Sequence, residues 1–213
     1  MLASAALTGL ALTQGPLAPQ QSQPSSNALE LAGCIGACAH PTNAGKVFRW
    51  GREKWRDEFE VGAFPPWWES NHPRFIGQQN GMLTIKAKAR TKKVVAWPNG
   101  KGARYGRWEA RVRAVELTSR GRHFKFNWEL SPAKGSLCND SKIVMASYRP
   151  GQRLLKGVVR TRPDYQYSFA RRADLRSRAW HTYAIEVTPD HISWFMDTRV
   201  IHTERRPHAL SGK

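Results

Sequence analysis

The chain has 213 residues, 40% of them hydrophobic, with 9 Trp and 8 Phe, a content that excludes a disordered polymer. This length accommodates one well-buried domain plus a tail. Its 34 Lys+Arg against 16 Asp+Glu leave a formal charge of +18, spread along the chain and not confined to one block. Such a surface attracts phosphates, anionic lipids, or sulfated and uronic polysaccharides in a salt-sensitive way, but charge alone selects none of them.

Residues 1–45 read as a leader and linker. The apolar run Leu2–Thr13 has signal-peptide size, is too short to span a bilayer as a helix, and lacks a basic segment before it, as a signal peptide with a clipped or mis-called start would; the alternative is an Ala-rich leader without a targeting role. Gln14–Asn27, rich in Pro, Gln and Ser, reads as a flexible linker. Three Cys cannot all pair within one chain. Cys34 and Cys38 form a C-x3-C without partner ligands, too thin for a metal site, so no metal or cofactor is expected. A Cys34–Cys38 disulfide fits an exported chain with Cys138 left over, and free thiols fit a retained one.

From Lys46 to Lys213 the pattern is strand after strand, with no internal repeat and no long amphipathic helix. Asn80-Gly81 is a hairpin turn signal, and Met82–Ala87 after it alternates Leu83, Ile85 and Ala87 with Thr84 and Lys86. Tyr105–Val115 puts Trp108, Ala110, Val112 and Ala114 on one face and Arg107, Glu109, Arg111 and Arg113 on the other. Phe124–Leu130 alternates Phe124, Phe126 and Trp128, and Ser141–Tyr148 has β-branched residues at its centre. Trp180–Val187 has the period-2 pattern of a half-buried strand, with Tyr183, Ile185 and Val187 on the apolar side. Thr188-Pro189-Asp190-His191 supplies turn chemistry, with Asp190 able to bond its own backbone. Ile192, Trp194 and Met196 start the next strand, and Asp197-Thr198-Arg199 turns the chain into Val200–Thr203. These elements predict an all-β, antiparallel, two-sheet sandwich.

The order of five motifs is more specific than any one strand. They are Trp55-Arg56-Asp57-Glu58-Phe59, Gln79-Asn80 with GMLTIKA, YGRWEAR from Tyr105, WHTYAIEV from Trp180, and ISWFMD from Ile192. Together they resemble glycoside hydrolase family 16, the laminarinase and lichenase group of concanavalin A-like jelly rolls, over about Val47 to His202. The resemblance implies one more strand after His202, so a chain stopping at Lys213 looks short by a strand. In that family one strand reads E-x-D-x-x-E, whose outer carboxylates serve as nucleophile and acid/base in a retaining mechanism. By order in the chain this strand is Ser141–Tyr148. There the nucleophile position carries Lys142, the middle Asp position Val144, and the acid/base position Ser147 (Ala146 in a one-residue-shorter form). None of these can form a glycosyl ester, tune a pKa and donate a proton at neutral pH.

Other acids are weak substitutes. Glu129 alternates with Trp128 and is expected to point away from the cleft, Asp140 stands alone, and Glu109 and Glu116 sit where the family has structural acids. A Ser147 pair with His123 or His181 lacks a nucleophile-elbow motif, and the resemblance gives His181 a structural hydrogen bond. Substrate-binding candidates are Trp128 as an indole platform (or else core), Lys142 as a cation in the cleft, and Trp68 and Trp97 in loops, with Trp67 beside Trp68. The reading is a secreted domain that binds a β-glucan-like or anionic cell-envelope polysaccharide and is catalytically dead. It implies no specific nucleic-acid partner and no transmembrane anchor. The alternatives are an active glycosidase with relocated acids and a basic structural protein adhering to envelope polyanions.

Overall fold

A computed structural model describes residues 44–60, 65–86, 93–100, 102–117, 124–132, 141–161, 165–176 and 178–206. The leader and linker, all three Cys, Ala87, His123, Asp140 and the residues after Arg206 lie outside the described residues. Among those described, the helical elements are one turn, α1 (Ala44–Val47), and a 3-10 turn at Pro73–Phe75, and Arg206 is helical as well. No helix among them is long and apolar enough to cross a membrane.

Twelve described strands follow in chain order. They are β1 (Trp68–Ser70), β2 (Ile76–Gln78), β3 (Leu83–Ile85), β4 (Ala96–Pro98), β5 (Gly106–Arg113) and β6 (Phe126–Leu130). After them come β7 (Lys142–Tyr148), β8 (Leu154–Thr161), β9 (Tyr165–Arg172), β10 (Trp180–Val187), β11 (His191–Met196) and β12 (Arg199–Arg205). Two four-stranded antiparallel sheets, ordered β12-β11-β10-β5 and β6-β7-β8-β9, form the body, and β1-β4 and β2-β3 make two small sheets. The expected antiparallel sandwich is therefore present.

The core lies between the two large sheets. Met145, Val159 and Phe169 from one meet Ile185, Val187, Ile192 and Trp194 from the other. Beside them Ala146, Tyr148 and Leu155 meet Tyr183 and Met196. Burial pushes the Tyr148 and Tyr183 phenols up from their ordinary value, since an ion there would lose its water. Trp108, Ala110 and Val112 of β5 lie opposite Ile185, Tyr183 and His181, so the predicted face of that strand is the inward one.

Two sequence expectations need correction. β10 is not half-buried: Thr182, Tyr183, Ala184 and Ile185 are all buried in succession. The reason is tertiary, because Ala44, Trp50 and Phe195 pack over Ala184 on the side away from the core. In the turn after β10, the side-chain hydrogen bonding is done by Thr188, not by Asp190. Thr188 Oγ1 accepts from the backbone N–H groups of Asp190 and His191 at 3.2 and 3.0 Å.

Other turns match the sequence reading. Asn80 and Gly81 both adopt positive φ, 52° and 65°, between β2 and β3, which is the backbone a two-residue hairpin loop requires. Asp197 sits at φ 54°, and its carboxylate accepts the Thr182 N–H at 2.9 Å and lies 3.1 Å from His181 Nδ1. That is the structural hydrogen bond the resemblance assigned to His181.

Candidate functional site

The strand expected from its order in the chain to carry the motif, β7, is irregular in a way that decides which side chains point outward. Pairing with β6 runs Trp128↔Ala146 and then Glu129↔Val144, so Met145 is an extra residue opposite no partner. Pairing with β8 shifts over the same stretch, between Val144 and Ser147. This is a β-bulge, and it lets the consecutive residues Met145 and Ala146 both face the core. Positions two and then three residues apart are thereby brought to the same side. Lys142, Val144 and Ser147 share the outer face, turned away from the second sheet, opposite Arg160, Val158 and Lys156 of β8.

The bulge is tied down from across the core. Trp194, fully buried on β11, donates its indole N–H to the Val144 carbonyl at 3.2 Å. The space it occupies depends on Gly157, where a Cβ would come within 2.5 Å of Phe169 Cζ and 3.1 Å of Trp194 Nε1.

The same pairing corrects two expectations for β6. Trp128 lies opposite Ala146 and packs against both core clusters, so its indole is core and not a platform in the cleft. Glu129 then faces outward beside Val144, not away from the site. Its Oε2 lies 3.1 Å from Lys142 Nζ and its Oε1 3.9 Å from Lys93 Nζ. Trp128 and Glu129 do alternate, but the larger apolar side chain takes the core and leaves Glu129 on the outer face.

Trp68 and Trp97 are on the separate β1-β4 sheet. Both are half-buried, with their N–H groups donated to Asp57 Oδ2 at 2.8 Å and to Glu69 Oε2 at 3.1 Å. Trp67, 45% exposed, also donates to Asp57 Oδ2, at 2.7 Å, so the Asp of the W-x-D-E-F opening holds two neighbouring indoles. Asn71 bonds to Lys93 and Val95, which places this small sheet at the β6 side of the outer face through Lys93 and Glu129.

The Ser147–His181 pair does not form. Ser147 faces outward, whereas His181 lies on the inward side of β10 near Tyr183. Glu109 accepts the Gly45 N–H at 2.9 Å, as a structural acid does. Among the described residues there is no cluster of three or more His, Cys, Asp or Glu suited to a metal ion.

Sequence reasoning missed β8 and β9, and with them Lys156, Arg160 and Gln166 on the outer face. The signal was available: Leu155, Gly157 and Val159 alternate with Lys156, Val158 and Arg160.

Two stacked antiparallel sheets, with the bulged strand carrying the i, i+2, i+5 positions on one face, decide the fold. The chain has the jelly-roll fold of glycoside hydrolase family 16. The laminarinase from Rhodothermus marinus superposes with a TM-score of 0.56 at 22% identity, covering 72% of this chain and 74% of that one. The laminarinase catalytic domain from Thermotoga maritima MSB8 gives 0.55 at 18%, covering 72% and 77%. The laminarinase from Flavobacterium sp. UMI-01 gives 0.54 at 19%, covering 71% and 77%. No protein-family model and no curated protein matches the chain in sequence. Within this fold, Lys142, Val144 and Ser147 put an ammonium, an isopropyl and a hydroxyl on one outer face.

Proposed function

We propose that this family 16-type domain, residues 46–213, binds a polysaccharide across the outer face of the β6-β7-β8-β9 sheet and does not hydrolyse it by the retaining mechanism. The ligand is a β-glucan-like or anionic cell-envelope polysaccharide. The run Leu2–Thr13 and the linker after it support export of the domain.

One observation carries this reading: Lys142, Val144 and Ser147 share a single face, and none of them is an acid. Retention needs two carboxyl groups about 5–5.5 Å apart, one ionised and one protonated. Among the described residues of this face the carboxylate is Glu129, ion-paired with Lys142. A lone carboxylate has no second carboxyl group to serve as its partner in that mechanism.

The placement of Glu129 also makes it the residue on which an active enzyme with relocated acids would rest. Reducing-sugar release from laminarin and lichenan, beside a binding assay with the same glycans, separates the readings. Binding without release is the expected result. Turnover that survives Lys142→Ala and Ser147→Ala but is abolished by Glu129→Gln overturns it in favour of the relocated-acid enzyme. Binding lost wholly at high salt, and indifferent to every substitution on this face, leaves the adhesive structural protein.

A further inference from the structure

Asn127, Ser147 and Lys156 stand side by side on β6, β7 and β8, all on the outer face. An amide, a hydroxyl and an ammonium in one row make a line of hydrogen-bond donors. Ser147 is 3% exposed and its hydroxyl has no hydrogen-bond partner, while its neighbours Asn127 and Lys156 are exposed. Folded proteins rarely leave a buried hydroxyl unpaired, because the lost water is not replaced.

Along the sheet, Val144 and Val158 form an apolar rung, and beyond it Lys142 and Arg160 lie directly opposite one another. Like charges in that relation destabilise a sheet. Here each is held by a different neighbour: Lys142 by Glu129, and Arg160 by Gln166, whose Oε1 accepts from Nε at 3.1 Å and Nη2 at 2.6 Å. Gln166 is neutral, so it orients the guanidinium without cancelling its charge. The outer face thus offers cations at both ends of an apolar strip, with an unsatisfied donor at one end.

We infer that the polysaccharide bound on this face carries anionic substituents, carboxylate or sulfate, and that one of them seats on the Asn127–Ser147–Lys156 row. This rests on the reading that the face holds a glycan. The substituent accepts from the exposed Lys156 ammonium, and from the Ser147 hydroxyl once the groups that bury it move aside, as charge-assisted bonds that a neutral sugar hydroxyl cannot match. Val158, the half-buried member of the rung, lies under the sugar ring, and Arg160 and Lys142 meet the next substituent along the polymer.

Calorimetric titration of the full chain at fixed salt tests this with three probes: polygalacturonate, dextran sulfate and laminarin. At least one polyanion is expected to bind more tightly than laminarin, and the tighter of the two identifies the substituent. Ser147→Ala and Lys156→Gln should each weaken that polyanion about tenfold while leaving laminarin within about twofold. Arg199→Gln, an exposed cation on the other sheet, should leave all three unchanged. Lys156→Glu, at an exposed position, keeps the test decisive if Ser147→Ala fails to fold, and should abolish polyanion binding. Laminarin bound as tightly as both polyanions, with Ser147→Ala and Lys156→Gln silent, overturns the inference and leaves the glycan-binding reading standing. No binding of any of the three overturns that reading and the inference with it. Duplex DNA bound as tightly as the polyanions, with Arg199→Gln as damaging as Lys156→Gln, assigns the binding to net charge and overturns the seat.

Discussion

Replacing Trp194 by Phe tests the device that fixes the outer face. Trp194 is fully buried, its ring meets Phe169 edge-on with centroids 4.9 Å apart, and its N–H reaches the Val144 carbonyl at 3.2 Å. Phenylalanine keeps one aromatic ring in the core but removes the donor and leaves a void where the second ring was. Loss of a buried hydrogen-bond donor costs about 1–3 kcal/mol. Partial collapse around the missing atoms adds about 1–2 kcal/mol. The expected total is about 3 kcal/mol, and for a chain of this size that lowers Tm by about 6–12 °C. Thermal unfolding followed by near-ultraviolet circular dichroism, with urea titration alongside, reads this directly. A Tm change under about 2 °C would show that the bulge in β7 stands without the indole, and the account of how Lys142, Val144 and Ser147 come to one face would fail.

Two further outcomes follow from the same core. Gly157→Ala places a methyl group against the Phe169 ring and should cost about 2 kcal/mol in urea unfolding, whereas the same change in a Phe169→Leu background should cost distinctly less; equal costs in both backgrounds would show that the overlap is not the cause. His202 lies against Phe169 and Trp194, with its Nε2 2.5 Å from Tyr167 Oη, its Nδ1 2.9 Å from Arg171 Nη2, and Glu204 Oε2 at 3.6 Å. Burial, and then Arg171, hold its pKa below the ordinary imidazole value, against the opposing pull of Glu204. The folded state therefore binds fewer protons than the unfolded one, so this contribution is complete above about pH 6.5 and is lost as pH falls below it. Urea midpoints should drop between pH 7.5 and pH 5, with a smaller drop in His202→Gln; an identical drop in the variant would place the titration elsewhere.

The sequence by itself determined the class of the molecule. Alternation in YGRWEAR, WHTYAIEV and ISWFMD specified strands because side chains on a pleated backbone have a period of two, and Asn80-Gly81 specified its turn because both residues tolerate positive φ. The identities of Lys142, Val144 and Ser147 need no structure to be read, but that they share one face does. What periodicity cannot supply is the sign of a face. Trp128 and Glu129 alternate under either assignment, and only the packing of Trp128 against both core clusters turned Glu129 outward to meet Lys142. Nor does a single strand announce its bulge, because the extra residue, Met145, exists only relative to the partners β6 and β8. The row Asn127–Ser147–Lys156 joins three strands far apart in sequence, so it became visible only with the register between them. Local order follows from local sequence, whereas faces, rows and burial are properties of pairs of strands, and those were decided by the tertiary structure alone.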